Sequence, residues 1–385
     1  MGIAMFVIFL MSDLFTVLIC RYAMSDTYEY KNGMILGVHI PQSALESDEV
    51  ETFLTSARKR YKYFQNINIL FAVVVCIPIL FNLAAGIFVW IFWLVIYIAG
   101  YTFSTNSAHR KMYRIKIKNG WINESSRRVY ADTGLSSVQQ GKPVSLKCHI
   151  FIMIFEVILF VPFLWRIREI YFGEIAVYFA AAAAVSLAAF LLHIFIDRRL
   201  DTVYSKDARI NQTVNYAVKK YWGIGLVLLS AVNCMAYMFV DIGMLINGEL
   251  NFVWFIIYII IQMFSVAAIF ITLMMLRKEK NLILADENPP VYVDDDEYWK
   301  TGYYFNPDDR HLLVQNRLCD TNYAFNYARP AARVIVGAIT VFIAAAIIIT
   351  AVLLIPFMNV TVNIELDDNY LKVKAAGYKC EISRD

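Results

Sequence analysis

The sequence predicts an all-α polytopic membrane protein with about eight transmembrane helices and a short C-terminal β meander. Hydrophobic residues make up 59% of the 385 residues and charged residues only 17%, a composition too apolar for a soluble chain of this length. Each apolar segment has the ~17 to 25 residues that a helix needs to cross about 30 Å of hydrocarbon while satisfying its own backbone. The segments lie at about 2–20, 66–82, 84–103, 149–166, 174–196, 223–246, 252–276 and 334–357.

Positive charge is concentrated in every second connection between these segments. The loops 21–65, 104–148, 197–222 and 277–333 carry most of the 35 Lys and Arg residues. By the positive-inside rule these loops are cytoplasmic, and both termini are extracytoplasmic. The lipid bilayer is therefore the first predicted partner. Nucleic acid is not predicted as a partner, because the positive-inside bias already accounts for the basic loops.

The first apolar segment does not have the features of a secretory signal, and the cysteines do not have the spacing of a disulfide framework or a metal site. Segment 2–20 lacks the basic start and the small-residue cleavage site of a secretory signal, which favours a retained helix. The six cysteines form no C-x-x-C pair, so neither a disulfide framework nor a metal site is predicted. No nucleotide-binding or hydrolase motif is present, and we expect no cofactor and no enzymatic activity.

An internal similarity suggests a repeat. Shifted by 160 residues, the stretch Val50–Phe64 overlays Ile210–Ile224 and matches Tyr61 with Tyr221. Both stretches lead into a membrane span, which is compatible with two parallel four-helix halves. The alternative is that any cytoplasmic helix entering a membrane has this pattern.

The first of these stretches is predicted to be an amphipathic cytoplasmic helix over 44–64, with an apolar stripe on one face. Ser43 and Glu46 have the spacing of a capping box at its start. Together with the spans, this helix gives the following division: a first membrane half at 1–166, spans five to seven at 167–276, a cytoplasmic aromatic and acidic domain at 277–333, the last span at 334–357, and an extracytoplasmic β segment at 358–385.

Two groups of residues carry a family resemblance. The first is the N-terminal motif Gly37, His39 and Pro41, followed by a basic helix that ends in Ala57-Arg58-Lys59-Arg60-Tyr61. The second is the cytoplasmic motif before the last span, with Trp299, Tyr303, Tyr304, Asn306, Pro307, Asp308 and Asp309. With these motifs in order, the chain resembles bacterial multi-span membrane proteins related to the SdpI-like toxin-immunity and signalling group.

The resemblance implies a location and a role. It implies a protein of the bacterial cell envelope that acts as a sensor, a regulator or an immunity-like component, with a peptide or protein as its partner. It also implies that the alternating residues after 358 are the opening strands of a small β-rich, pleckstrin-homology-like domain. On that basis we expect the chain to be a fragment or a shortened copy.

Ionisable side chains that interrupt the spans are the first candidates for function, since a charged group at a helix centre costs about 2.5 to 3.5 kcal/mol to insert. Glu156 is either a proton- or cation-coupling carboxylate or a protonated residue bonded to a neighbouring helix. Asp13 is either a functional intramembrane carboxylate or a residue that lies outside the true span, with the bounds of span one set imperfectly. His193 is expected to extend to the inner surface, and Asp241 to lie at the outer interface. The candidates are Glu156, Asp13, His193 and Asp241, with Asn233 and Gln262 as polar companions.

The cytoplasmic acidic run Asp294-Asp295-Asp296-Glu297 has two interpretations. A solvated loop is favoured, and a divalent-cation site is the alternative, although the run lacks the glycine turn of a calcium loop. The sequence Asn306-Pro307-Asp308-Asp309 predicts a turn. Its aromatic neighbours predict a small folded element at the inner membrane surface.

Two functions follow from these observations. The favoured one is a non-enzymatic sensor, regulatory or immunity-like membrane protein. The alternative is a small proton- or cation-coupled transporter, which requires a polar path facing the interior of the helix bundle, whereas a sensor permits a dry, tightly packed interior.

Overall fold

The described part of the chain contains eight long helices, each long and apolar enough to cross a membrane. The structure, a computed structural model, describes residues 2–31, 33–122, 143–165, 172–199, 201–248, 250–285, 294–319 and 323–358, and the backbone of strands between 363 and 383. The chain is thus a multi-pass integral membrane protein, as predicted. The helices are α1 (Gly2–Ala23), α2 (Asp48–Cys76), α3 (Leu83–Lys118), α4 (Lys147–Leu164), α5 (Phe172–Arg198), α6 (Ala208–Asn247), α7 (Phe252–Ile283) and α8 (Pro330–Met358).

Several helices are longer than the apolar segments that predicted them. Helix α3 has 36 residues and α6 has 40, which at 1.5 Å per residue gives lengths of about 54 and 60 Å, well beyond about 30 Å of hydrocarbon. The apolar pattern marks only the part of each helix that lipid surrounds. The polar ends continue the helix because each additional residue adds a backbone hydrogen bond.

The predicted amphipathic helix over 44–64 is not a separate element. Gln42–Glu46 forms a 3-10 turn, and α2 then runs without interruption from Asp48 into the membrane span. Ser47, in an extended conformation, precedes α2 without a side-chain capping bond. The prediction of a capping box at Ser43 and Glu46 is therefore wrong, because both residues lie in the 3-10 turn before α2 begins.

Three small antiparallel β elements complete the described part of the chain. Strands β1 (Met34–Ile35) and β2 (Val38–His39) form a hairpin, as do β3 (Leu313–Gln315) and β4 (Tyr323–Phe325). Strands β5 (Asn363–Leu366), β6 (Tyr370–Ala375) and β7 (Tyr378–Ser383) form a meander in the order β5-β6-β7. This confirms the β meander that the alternating apolar and polar residues of the C-terminal sequence predicted.

The chain packs as two compact units, and each contains four of the eight described long helices. The first contains residues 1–122 and 295–385, with helices α1, α2, α3 and α8; the second contains 123–294, with α4 to α7. The predicted halves were sequential, with a boundary at 166. In the structure α4 lies with α5 and α6, because its inward side chains contact those helices.

Each unit has its own apolar core. In the first, one core surrounds the β1–β2 hairpin and includes Val38, Val50 and Met112, while Trp93 and Tyr97 anchor a second core between α1, α2 and α3. In the second unit, one core lies around Tyr237 on α6, and another joins Val214 to Leu276. In contrast to the helices that form these cores, almost all described side chains of α8 are exposed, as expected for a helix that faces lipid.

Candidate functional site

A buried polar layer lies in the middle of the second unit, around Glu156 on α4. The residues on either side of it point outward, with Phe155 45% and Val157 51% exposed, whereas Glu156 is 1% exposed. Because side chains three or four residues apart share a helix face, the outward neighbours identify the lipid-facing side of α4. Glu156 is the polar exception on the opposite side, which faces α5 and α6.

All four helices of the second unit contribute to this layer. The Ser186 hydroxyl on α5 donates a hydrogen bond of 2.7 Å to Glu156 Oε1, and Asn233 Nδ2 on α6 lies 3.5 Å from the same oxygen. The Asn233 amide also donates to the Ala182 carbonyl at 3.0 Å. Gln262 Nε2 on α7 donates to Asn233 Oδ1 at 2.9 Å. The structure therefore joins Glu156 to both of the polar companions that the sequence singled out.

The two oxygens of Glu156 differ in their surroundings. Oε1 receives the donors described above, whereas Oε2 is buried and has no hydrogen-bond partner among the described residues. A buried carboxylate oxygen without a partner is costly, and burial favours the neutral, protonated form of the group. The donors at Oε1 favour the charged form. Glu156 thus has one oxygen with hydrogen-bond donors and one without.

A second polar layer lies about two helical turns away along α4 and α5. His149 Nε2 is 3.1 Å from His193 Nδ1, and His149 Nδ1 is 3.0 Å from the Ser230 hydroxyl of α6. Both imidazoles are fully buried. The expectation that His193 extends to the inner surface is therefore wrong, because its ring is held inside the unit by His149. The sequence analysis did not single out His149.

Asp241 lies further along α6, towards the end that precedes the α6–α7 connection. Its side chain is buried, with the residue only 2% exposed, and its Oδ1 has no hydrogen-bond partner among the described residues. It was expected at the outer interface. It instead faces the interior because it shares a helix face with Asn233 and Tyr237, which are also buried.

Asp13, the remaining intramembrane candidate, belongs to the first unit. It lies in the middle of α1 and is 1% exposed. Trp90 Nε1 on α3 donates to its Oδ1 at 2.6 Å, and Cys76 Sγ on α2 contacts its Oδ2 at 3.4 Å. Helix α1 runs without interruption through Asp13. Asp13 joins three helices, and both of its oxygens have partners.

The part of the first unit around the β1–β2 hairpin contains a buried ion cluster centred on Asp296. His39 donates to this carboxylate from its backbone N–H at 2.8 Å, and His39 Nδ1 lies 2.8 Å from Oδ1. Lys116 Nζ is 2.7 Å from Oδ2, and the Arg317 guanidinium contacts Oδ1. The residue is 1% exposed. The favoured solvated-loop interpretation is thus wrong for Asp296, because cations of the protein surround it.

These contacts determine the acidity of Asp296. Burial alone would raise the pKa of its carboxyl group, but the hydrogen bond and charge of His39 and the charge of Lys116 hold that pKa below its usual range. Arg317 also pairs with the neighbouring Asp295 and lies over the Trp299 ring, 5.6 Å from its centroid. With these protein donors on both oxygens, Asp296 is a structural ion-pair centre.

The N-terminal motif residues build a tight turn beside this cluster. Leu36 and Gly37 connect β1 to β2 with φ of 53° and 71°, the positive values that a two-residue hairpin turn requires. A side chain at Gly37 would also approach Arg317 Cβ at 3.2 Å. His109 Nδ1 lies 2.9 Å from the Leu36 carbonyl, which fixes the turn to α3. Pro41 precedes the 3-10 turn before α2.

The second motif forms a folded element, as predicted. The Asn306 side chain accepts hydrogen bonds from the backbone N–H groups of Asp308 and Asp309, which confirms the turn. Tyr304 packs on Trp299 with ring centroids 5.0 Å apart, and its hydroxyl donates to Asp309 at 3.0 Å. Tyr303 is 45% exposed, and Pro307 is also exposed. The motif residues are thus accounted for mainly by local structure.

Among the buried ionisable residues described above, those in the two polar layers of the second unit have the features expected of a functional site. They contain a carboxyl oxygen without a hydrogen-bond partner and two adjoining imidazoles, all inside a span-forming bundle. The first unit's ion cluster is internally paired. No protein-family model, curated protein or solved structure matches the chain.

Proposed function

We propose that this membrane protein is a proton-coupled transporter in which Glu156 binds and releases the coupling proton, and that it carries this proton across the membrane even when no transported substrate is present. The observation that carries the proposal is the carboxyl group of Glu156, buried between helices, with donors at Oε1 and none among the described residues at Oε2. Ionisable residues in the interior of a transmembrane bundle commonly mark ion or proton pathways. The polar layers on α4, α5 and α6 provide the inward-facing path that transport requires.

The donor chemistry favours a proton over a metal cation. Ser186 and Asn233 both direct hydrogen-bond donors at Glu156 Oε1. A calcium-type ion needs about six to eight oxygen ligands, and donors aimed at the same carboxylate would repel it. A proton needs a single oxygen, and Oε2 provides one. The charged form is stabilised by the two donors, and the neutral form by the surrounding apolar side chains.

We assign the orientation from the positive-inside rule, with the basic loops in the cytoplasm and both termini outside. In this orientation His149, near the start of α4, and His193, near the end of α5, lie towards the cytoplasm. Asp241 then lies towards the outer surface. Glu156 is between them, about two helical turns from His149 on the same helix.

The test is proton movement in vesicles that contain the purified full-length chain. A potassium diffusion potential drives protons inward, and a pH-sensitive dye inside the vesicles reports their arrival. Wild-type protein should acidify the vesicles, and Glu156→Gln should abolish the acidification because a glutamine amide cannot bind and release a proton. Wild-type vesicles that behave like protein-free vesicles would contradict the proposal, as would Glu156→Gln with the wild-type rate.

Asp13→Asn is the matched control. Asp13 is as deeply buried as Glu156, but both of its oxygens have partners and it lies in the other unit. Asp13→Asn should leave the rate of vesicle acidification unchanged when the rate is divided by the amount of folded protein. If Asp13→Asn and Glu156→Gln reduce the rate equally, the effect reflects the loss of a buried carboxylate in general.

A non-catalytic sensor, regulatory or immunity-like role is the second candidate. It is supported by the SdpI-like resemblance and by the folded cytoplasmic part of the first unit, whose core packs around Val38 and Met112. In this case a peptide or protein partner would bind the chain. Cells that produce the protein should then survive a cognate peptide toxin, and Glu156→Gln should leave that protection intact.

A further inference from the structure

We infer that the buried pair His149 and His193 is a proton-relay site that connects the cytoplasmic end of the second unit to the level of Glu156. This inference rests on the proposed function and assigns to it a second site. It is carried by a chain of four side chains from three helices. The chain runs from Asp197 through His193 and His149 to Ser230.

The distances describe a nearly continuous path. His193 Nε2 lies 3.8 Å from Asp197 Oδ1, one helical turn further along α5. His193 Nδ1 lies 3.1 Å from His149 Nε2, and His149 Nδ1 lies 3.0 Å from the Ser230 hydroxyl. Every side chain in this path is at most 1% exposed. Bulk water therefore does not replace the protein contacts along it.

The pairing of two imidazoles has a definite proton requirement. A neutral imidazole carries one N–H donor and one acceptor nitrogen. At 3.1 Å, one of His149 Nε2 and His193 Nδ1 must carry the hydrogen while the other accepts it. The pair thus holds one shared proton between its rings. Its outer nitrogens face Asp197 on one side and Ser230 on the other.

This arrangement allows a balanced transfer. A proton that reaches the Asp197 carboxylate passes to His193 Nε2 through a water molecule that bridges the 3.8 Å gap, while the proton on His193 Nδ1 leaves for His149 Nε2. The proton on His149 Nδ1 then passes to the Ser230 oxygen as the Ser230 hydroxyl releases its own proton, which at rest bonds the Leu226 carbonyl. A water molecule in the bundle interior takes up that released proton and delivers it to the Glu156 carboxylate. Each imidazole gains one proton and loses one, and ends in its other tautomer. The reverse sequence, or rotation of the rings, restores the starting state.

The surroundings of the pair suit this role. Among the described residues, Asp197 on α5 faces the pair, while α6 presents the Ser230 hydroxyl and the backbone at Gly223. A β-carbon at Gly223 would lie 2.8 Å from His193 Nε2, so glycine leaves the space beside that nitrogen open. The Phe190 ring, 6.0 Å from the His149 ring, adds an apolar wall.

The relay reaches the level of Glu156 along shared helix faces. His149 and Glu156 are separated by two turns of α4, and Ser186 and His193 by two turns of α5, about 10 Å in each case. Ser230 and Asn233 lie one turn apart on α6, and both are buried. The two polar layers therefore face the same interior of the bundle, the histidine layer at the cytoplasmic end and Glu156 at the centre.

The vesicle assay tests the relay with His149→Gln and His193→Gln. Each substitution should slow proton entry from the cytoplasmic side by about a hundredfold or more, the range that a positioned acid–base group contributes. Gly223→Ala should slow it as well by displacing His193, and the exposed His311 provides the control His311→Gln with the wild-type rate. Wild-type rates in both relay variants, while Glu156→Gln remains inactive, would overturn the relay alone. A wild-type rate in Glu156→Gln would overturn the proposed function instead.

Nitrogen-15 NMR of the wild-type protein gives a readout that does not depend on the variants folding. Labelled histidine should show one N–H···N hydrogen bond between two imidazole rings, and the signal should vanish in either relay variant but persist in Glu156→Gln. A wild-type spectrum in which no two imidazoles share a proton would overturn the inference.

Discussion

Lys116 Nζ lies 2.7 Å from Asp296 Oδ2, and both side chains are almost completely buried although 180 residues separate them in the chain. This ion pair ties the C-terminal end of α3 to the segment that precedes α8. His39 and Arg317 add further contacts to the same carboxylate. This part of the first unit is thus assembled from distant segments around one buried charge.

Lys116→Met should destabilise the first unit strongly. Removing one partner of a buried ion pair leaves the other charge insufficiently compensated, which typically costs about 3–5 kcal/mol. We expect the lower end of that range, because His39 and Arg317 remain beside Asp296. Thermal unfolding in detergent, followed by tryptophan fluorescence, measures the change.

The control for this substitution is Lys118→Met, two residues further along α3. Lys118 pairs with Glu49 at 2.8 Å, but its side chain is 69% exposed. Solvent-exposed pairs contribute little, and we expect no measurable change in the unfolding temperature. Equal destabilisation by both substitutions would show that burial of the Asp296 pair is not what stabilises this region.

The Asp296 pair should also make stability depend on acid pH. Burial raises the pKa of this carboxyl group, but the hydrogen bond and charge of His39 and the charge of Lys116 lower it by more. The carboxyl group therefore has a lower pKa in the folded protein than in the unfolded chain. Its contribution is fully present above the ordinary aspartate pKa of about 4 and is lost as the pH falls through the lowered folded value. The stability difference between wild type and Asp296→Asn should therefore be constant near neutrality and shrink below about pH 4. A difference independent of pH down to strongly acid conditions would contradict this account.

Gly37→Ala should weaken the β1–β2 hairpin. The residue has φ of 71°, and an added β-carbon would lie 3.2 Å from Arg317 Cβ. A left-handed conformation costs a non-glycine residue about 1–2 kcal/mol, so we expect a loss of about that size. Gly173→Ala is the control, because nothing lies within 4 Å of a β-carbon there. The free energy of unfolding of both variants, measured in the same detergent, makes the comparison.

The orientation of the chain predicts which residues can be labelled from outside the cell. Arg114, at the basic end of α3, and Glu174, at the start of α5, are both exposed on the protein surface. In a background without the native cysteines, Glu174→Cys should react with a membrane-impermeant thiol reagent added to intact cells, and Arg114→Cys should react only after lysis. The opposite pattern would reverse every loop assignment.

The spans and the central polar layer could be predicted from the sequence for a simple reason. Lipid imposes a composition on every residue of a span, so continuous apolar segments reveal the helices, and Glu156 stands out within one. Asn233 and Gln262 stand out in the same way. Their convergence on Glu156 depends on the rotation of α6 and α7, which no local pattern specifies.

Other parts of the account could not be predicted because they depend on contacts between distant segments. Asp296 lies in an acidic run typical of solvated loops, and only the arrival of Lys116 and Arg317 makes its burial tolerable. His149 lies at the start of a span, where a histidine is expected to face headgroups. The available signal was its two-turn spacing from Glu156, matched by the same spacing of Ser186 and His193 on the next helix.

The most direct test of the central claim is whether the Glu156 carboxyl group exchanges its proton with water. Infrared difference spectra of the reconstituted protein, recorded between low and high pH in light and heavy water, detect the carbonyl stretch of a protonated carboxyl group. We predict a band that shifts on deuteration, is absent from Glu156→Gln and remains in Asp13→Asn. A spectrum of Glu156→Gln identical to that of the wild type would contradict the assignment of the proton to Glu156.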